Sequence, residues 1–278
     1  MDRKKITPVD IQAMKNEGKK ITMLTAYDYP TALLEDRAGI EIILVGDSLG
    51  MTVLGYENTI PVTMDEMIHH TKAVTRGAKY ALVIGDMPFM SYNTSEREAI
   101  LNAGRFIKEG GADAVKLEGG VTVKDIVKAI VNAGIPVMGH IGLTPQTISM
   151  LGGFKVQGKD AQAAQKIIDD ALLLEDAGAF SVLLEAIPAP IAKRITDRLK
   201  VPIIGIGAGV HCDGQVLVVH DILGLFDRFT PKFAKRYVNM SELMLKAFES
   251  YREEVLKGAF PTDQHSFHID EKELTKIK

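Results

Sequence analysis

The chain repeats one pattern: a stretch with apolar residues at helical spacing, a glycine, a short continuous apolar run, and a charged or imidazole side chain where the run stops. Gly39 leads into Ile42-Ile43-Leu44-Val45 and then Gly46-Asp47-Ser48, and Gly77 into Ala81-Leu82-Val83-Ile84 and then Gly85-Asp86. Gly111 precedes Ala114-Val115-Lys116-Leu117-Glu118, Gly134 precedes Ile135-Pro136-Val137-Met138-Gly139-His140, and Gly178 precedes Phe180-Ser181-Val182-Leu183-Leu184-Glu185. Each glycine is expected to take the left-handed cap that ends a helix, where a Cβ is penalised. Each run is expected to be a parallel strand covered on both faces. Runs at 21–25, 201–205 and 215–219 bring the count to about eight, the number that closes a (β/α)8 barrel. No clear helix separates the last two.

Thr63-Met64-Asp65-Glu66 and Ser95-Glu96-Arg97-Glu98 fit capping boxes and mark helices after the second and third runs. Helical spacing over 160–177 and 241–256 adds two more. The expected layout is a single α/β domain over 1–278, a (β/α)8 TIM barrel at about 20–240 followed by a C-terminal helix and an irregular tail over 241–278. Two connections, 49–61 and 142–158 with its Leu151-Gly152-Gly153-Phe154, are long and lack helical periodicity. They follow strand ends, where a barrel carries lids and binding loops, or else they are plain surface loops.

Composition narrows the class. With 33 Lys+Arg against 36 Asp+Glu in 278 residues, the net charge of -3 gives no footing for nucleic acid or an anionic membrane. Hydrophobic residues at 46% and charged residues at 25% belong to a folded globular chain. No run approaches the roughly 18 apolar residues of a membrane span, and no signal-peptide core follows the basic N-terminal residues. The single thiol, Cys212, supports neither an intrachain disulfide nor a thiolate zinc site, so a reducing, cytoplasmic setting is expected.

Parallel strands deliver their carboxyl ends to one mouth, so Asp47, Asp86, Glu118, His140 and Glu185 are expected to converge there. Asp47, Asp86 and Glu118 offer only oxygen donors, which suit a hard octahedral cation such as Mg²⁺ better than zinc. Open positions on that cation would chelate an α-keto acid and favour its enolate. The alternative is a carboxylate cluster neutralised by Lys116 and arginines without metal. Lys116 shares a strand face with Glu118, so it is also placed to pair a substrate carboxylate. Glu185, between Leu184 and Ala186-Ile187-Pro188, is expected among apolar neighbours as the general base, unless it pairs with a Lys or Arg. His140 would orient Glu185 or a substrate oxygen, or serve only as a structural hydrogen-bonder.

Gly205-Ile206-Gly207-Ala208-Gly209 brings its third glycine one residue too early for a dinucleotide fingerprint, and no Lys-Ser/Thr follows as in a phosphate loop. These glycines are expected to admit a flat or phosphorylated ligand, with tight packing as the other possibility. His69-His70 is expected on a surface helix, facing solvent or a subunit contact.

Several blocks in order resemble the ketopantoate hydroxymethyltransferase family: Thr25-Ala26-Tyr27-Asp28, Val45-Gly46-Asp47-Ser48-Leu49-Gly50-Met51, Asp86-Met87-Pro88-Phe89-Met90, Val115-Lys116-Leu117-Glu118-Gly119-Gly120, Gly139-His140-Ile141-Gly142-Leu143-Thr144-Pro145-Gln146, and Ile204-Gly205-Ile206-Gly207-Ala208-Gly209 with Asp213-Gly214-Gln215. The resemblance implies a barrel that binds one Mg²⁺ through Asp47 and Asp86, with Glu118 as third ligand, direct or through water. It implies that Asp47, Ser48, Asp86 and Lys116 hold 3-methyl-2-oxobutanoate and that Glu185 removes its C3 proton. His140 is added to the substrate-binding set. The one-carbon unit would come from the co-substrate 5,10-methylenetetrahydrofolate, which with water gives 2-dehydropantoate and tetrahydrofolate on the way to pantothenate and coenzyme A. Family members are typically cytoplasmic homodecamers. Departures fall in the helices, the termini and Val210-His211-Cys212.

Two other readings use the same residues. A lyase or mutase of the phosphoenolpyruvate mutase and isocitrate lyase group shares barrel, Mg²⁺ and keto-acid enolate, but this chain has no Cys near a fourth- or fifth-strand loop to act as its acid. A barrel that only senses a keto acid or folate would need no base.

Overall fold

The computed structural model describes residues 3–148, 153, 155–226 and 230–278. Leu151, Gly152 and Phe154 of the second expected loop lie outside them. Eight parallel strands close into a barrel in chain order: β1 (Ile21–Thr25), β2 (Ile42–Val45), β3 (Leu82–Asp86), β4 (Ala114–Glu118), β5 (Val137–Gly142), β6 (Ser181–Glu185), β7 (Ile203–Ile206) and β8 (Gly214–Leu217). The pairing of β8 with β1, from Ile21 opposite Gly214 to Leu24 opposite Leu217, completes the ring. The expected (β/α)8 architecture is thus present. Strands β5 and β7 begin two residues later than their apolar runs, directly after Pro136 and Pro202. Proline has no N–H for the ladder, so each strand starts at the residue beyond it.

Alternation along the strands sorts the core. Ile21, Met23, Leu82, Ile84, Met138 and Leu183 belong to one buried cluster, the barrel interior. Their neighbours Val83, Val115, Val137 and Val182 belong to a second, between sheet and helices. The same parity carried toward the strand ends reaches Asp86 on β3, Lys116 and Glu118 on β4, His140 on β5 and Glu185 on β6. The upper inward layer is therefore charged while the lower ones are apolar.

At the amino ends of the strands, helix Pro8–Asn16 inserts the fully buried Ile11 into the interior cluster. The apolar spacing does not announce this helix; a capping box between Thr7 and Asp10 starts it, and Lys15 Nζ ties it to Asp213 Oδ2 at 2.7 Å. With that end plugged, the open end of the barrel is the one holding the charged layer.

Local expectations fared unevenly. Gly39, Gly111, Gly134 and Gly178 all have positive φ, as caps require. Gly77 does not: it is the last residue of helix Met64–Gly77, where a Cβ would stand 2.6 Å from the Tyr29 carbonyl oxygen. Its purpose is close crossing with helix Tyr29–Ala38. The Thr63/Glu66 capping box is complete, but that at Ser95 is half made, because the Glu98 carboxylate accepts from Thr94 Oγ1. Segment 49–61 begins with a short helix, Leu49–Thr52, and 142–158 contains a tight helical turn, Pro145–Thr147. Helix Ala161–Asp176 starts on an Asp160 cap, as spacing suggested. The C-terminal helix, Met240–Leu256, buries none of its residues, and the tail holds short turns at Asp263–His265 and Glu271–Leu274. His69 is exposed, but His70 is not simply solvent-facing, since its Nδ1 lies 2.6 Å from the Tyr27 carbonyl oxygen.

Candidate active site

Register builds the site. Asp86 on β3 is the ladder partner of Lys116 on β4, and Glu118 on β4 is the ladder partner of His140 on β5. Each pair therefore stands side by side on the inward face. Lys116 Nζ is 2.7 Å from Asp86 Oδ1, and 3.3 Å from His140 Nδ1. His140 lies between two carboxylates, with Nδ1 3.4 Å from Glu118 Oε1 and Nε2 3.2 Å from Glu185 Oε2. The angles at His140 Nε2 and Asp86 Oδ1 are not those of hydrogen bonds, so these are charge contacts. Asp47 follows the end of β2, and its N–H donates to Asp86 Oδ2 at 3.0 Å.

All five residues expected to converge do so around one cavity of about 400 Å³, which Ser48 and Lys116 also line. Both long connections contribute to its wall, the first through Met51 and Thr59 and the second through Lys155 and Val156. Ser48 precedes the short helix without capping it, and its hydroxyl bonds Tyr27 OH at 2.8 Å. Glu185 is not in the purely apolar setting expected of it, and among the described residues it pairs with no Lys or Arg; its partner is His140.

Burial makes the electrostatics severe. Desolvation, together with the charges of Asp86 and Glu118, pushes the Asp47 carboxyl well above its ordinary range. Burial also raises Asp86, against the pull of Lys116. Burial and Lys116 push His140 down, yet Glu118 and Glu185 outweigh them and hold it up at about 9. Glu118 moves the other way: burial would raise it, but contacts with His140 and the Lys116 charge keep it below the usual value.

Gln146 was missed by the sequence reading and is the hub of the cluster. Its Nε2 donates to Asp47 Oδ2 and to the Met87 carbonyl oxygen, each at 2.9 Å, while its N–H donates to Glu118 Oε2 at 3.1 Å. Tyr92 OH in turn donates to Gln146 Oε1 at 2.6 Å. An uncharged amide does not stand out as a site residue; its nearness to the end of β5 and its place at the end of the Gly139–Gln146 block were the only signals.

Among the described residues no three His, Cys, Asp or Glu side chains are already gathered at metal-ligand spacing. The donor set nevertheless fits a hard divalent cation. Asp47 and Asp86 are buried carboxylates whose charges repel, and Asp86 Oδ1 has no hydrogen bond. The glycines of the Gly205–Gly209 run are closely packed: a Cβ at Gly205, Gly207 or Gly209 would come within 2.8 Å of Cys212, 2.7 Å of Phe233 or 2.4 Å of Ala189. Tight packing, rather than a flat ligand, accounts for these glycines.

A closed parallel barrel with acid, base and ammonium groups at its carboxyl-terminal mouth defines a (β/α)8-barrel enzyme. The fold resembles that of a phosphonopyruvate hydrolase, at a TM-score of 0.63 and 12% identity over 98% of this chain and 94% of that one. It also resembles a 2,3-dimethylmalate lyase of the PEP mutase/isocitrate lyase superfamily, at 0.61 and 15% over 94% and 93%. At such identities the likeness concerns the fold alone. Residues 5–263 match the ketopantoate hydroxymethyltransferase family, so the chain belongs to that family and is a hydroxymethyltransferase. A 3-methyl-2-oxobutanoate hydroxymethyltransferase from Moorella thermoacetica is 63% identical over 265 residues, 95% of this chain and 98% of that protein. One of the same name from Carboxydothermus hydrogenoformans is 57% identical over 277 residues, 100% of each.

Proposed function

We propose that the enzyme uses the methylene carbon of 5,10-methylenetetrahydrofolate together with one water to add a hydroxymethyl unit to 3-methyl-2-oxobutanoate, giving 2-dehydropantoate and tetrahydrofolate, and so serves pantothenate and coenzyme A synthesis. The observation that carries this reading is the placement of Glu185. Strand β6 lies across the closed ring from β2, so Glu185 faces the cavity opposite the Asp47 side. Its side chain is 16% exposed, whereas those of Asp86 and Lys116 are 2% and 4% exposed. It is the cluster carboxylate with the freest access to a small ligand.

Asp47 and Asp86 would hold Mg²⁺, with Glu118 as third ligand, direct or through water. When bound, that cation supplies Lewis acidity at the ketone oxygen and favours negative charge there. Lys116 Nζ pairs the substrate's carboxylate or ketone oxygen, and Ser48 Oγ adds a hydrogen bond. The carboxylate of Glu185 accepts the proton from C3, leaving an enolate that attacks the one-carbon unit. His140, charged at neutral pH between Glu118 and Glu185, fixes the orientation of the base. The rest of the reading concerns setting and assembly: a cytoplasmic homodecamer. Helix Met240–Leu256 supports assembly, because it leaves Leu243, Phe248, Tyr251 and Leu256 in water.

The test is product formation. Wild-type enzyme given keto acid, methylene donor and Mg²⁺ is expected to form 2-dehydropantoate, while Glu185→Gln loses at least about 100-fold in rate. No product from the wild type, or full activity in Glu185→Gln, contradicts the reading.

A further inference from the structure

The cavity extends beyond the strand ends. Asp221, Phe226, Lys232 and Phe233, from the segment after β8, and Lys155, from the segment after β5, line the same space as Asp47, Lys116 and Glu185. A branched keto acid fills far less than about 400 Å³, and none of these five residues is needed to hold it.

Asp221 is the telling member. It sits in the short helix Val219–Leu223 and is 7% exposed, yet among the described residues no side chain forms a hydrogen bond or ion pair with its carboxylate. Burial raises this carboxyl to about 6 while the Arg236 charge draws it down, so it is an anion at neutral pH. A largely buried carboxylate that lines a cavity and has no donor among the described residues is placed to accept hydrogen bonds from a ligand. The keto acid is an anion and cannot supply them. Beside it, Phe233 rests against the Gly207 backbone, which leaves room for its ring only because no Cβ is present. Phe233 is 37% exposed and Phe226 lines the cavity with it.

On the reading above, in which a reduced folate is the co-substrate, we propose that Asp221 anchors its aminopteridine ring. The two carboxylate oxygens accept from the paired N–H donors of the ring's 2-amino-4-oxo edge, as a carboxylate accepts from a guanidinium fork. Phe233 and Phe226 meet the flat face of the ring. Lys155 and Lys232 meet the anionic glutamate tail.

Calorimetric titration of full-length enzyme with tetrahydrofolate and with the tailless 6-methyltetrahydropterin tests this. Metal-dependent deuterium exchange at C3 of the keto acid, run without folate, is the control for folding and for the keto-acid site. Asp221→Asn is expected to weaken both pterins about 10- to 100-fold. Lys232→Ala is expected to weaken only the tailed ligand, and exchange is expected to persist in both variants. Unchanged pterin binding in Asp221→Asn with exchange intact overturns the proposal and leaves the keto-acid chemistry standing. Loss of exchange in Asp221→Asn places the residue in the keto-acid site or the fold and also overturns it. Absence of exchange in the wild type instead overturns the underlying reading.

Discussion

Lys116 Nζ stands 2.7 Å from Asp86 Oδ1, with 4% and 2% of the two side chains exposed, an ion pair formed between ladder partners on β4 and β3. The pair brings one cation into a cluster that holds Asp47, Asp86 and Glu118, and those three charges raise the Lys116 ammonium above its ordinary range despite burial. Removing that cation leaves buried negative charge unbalanced. Lys116→Met is therefore expected to lower the free energy of unfolding by about 3–5 kcal/mol without Mg²⁺. Urea titration checks it, and an unchanged midpoint would show that the pair contributes no net stability.

His140 makes stability depend on pH. Its folded pKa of about 9 lies above the ordinary value, so its contribution is complete below pH ~6.5 and is lost as pH rises through about 9. The expected difference between wild type and His140→Asn is on the order of 3 kcal/mol at pH 6 and declines toward pH 10. Melting curves across that range decide it; a difference that grows with pH has the wrong sign.

The raised Asp47 and Asp86 carboxyls predict a metal effect with the same sense. Without a cation, their ionisation costs stability as pH rises through their elevated range, and a divalent cation relieves that cost. Mg²⁺ at a hundred times its Kd is expected to stabilise the protein by about 2.7 kcal/mol, and at a fixed Mg²⁺ concentration the gain is expected to be larger at pH 8 than at pH 6. Asp47→Asn should abolish the gain. Equal gains in both proteins would place the cation elsewhere.

Gln146 holds Asp47 and Glu118 through one hydrogen bond each, with a third to the Met87 carbonyl oxygen fixing its own amide, and contributes no charge. Gln146→Leu is expected to weaken Mg²⁺ binding about 10- to 100-fold, as loss of a ligand's orienting partner does. Calorimetric titration of Mg²⁺ into the variant reads this directly, and wild-type affinity would make Gln146 a purely structural bond.

The strands were legible because parallel strands buried on both faces write themselves as continuous apolar runs. The site residues were legible because each closes such a run. What escaped depends on relations between elements. That His140 joins Glu118 to Glu185 follows from the β4–β5 register on one side and from β6 lying next to β5 on the other, which no single run encodes. Gly77 reads like the other four glycines, yet serves a helix crossing. The glycines at the end of β7 and just beyond it look like a ligand loop until Cys212, Phe233 and Ala189 are seen against them. Helix Pro8–Asn16, which buries only Ile11, is too polar to announce itself.

The most direct test of the account is proton NMR of 3-methyl-2-oxobutanoate in D₂O with the enzyme and no folate. The account predicts Mg²⁺-dependent loss of the C3 methine signal in the wild type, retained within a few-fold in Gln146→Leu at saturating Mg²⁺ and absent in Glu185→Gln. Exchange that survives unchanged in Glu185→Gln, or that fails in the wild type with Mg²⁺ present, would contradict Glu185 as the base.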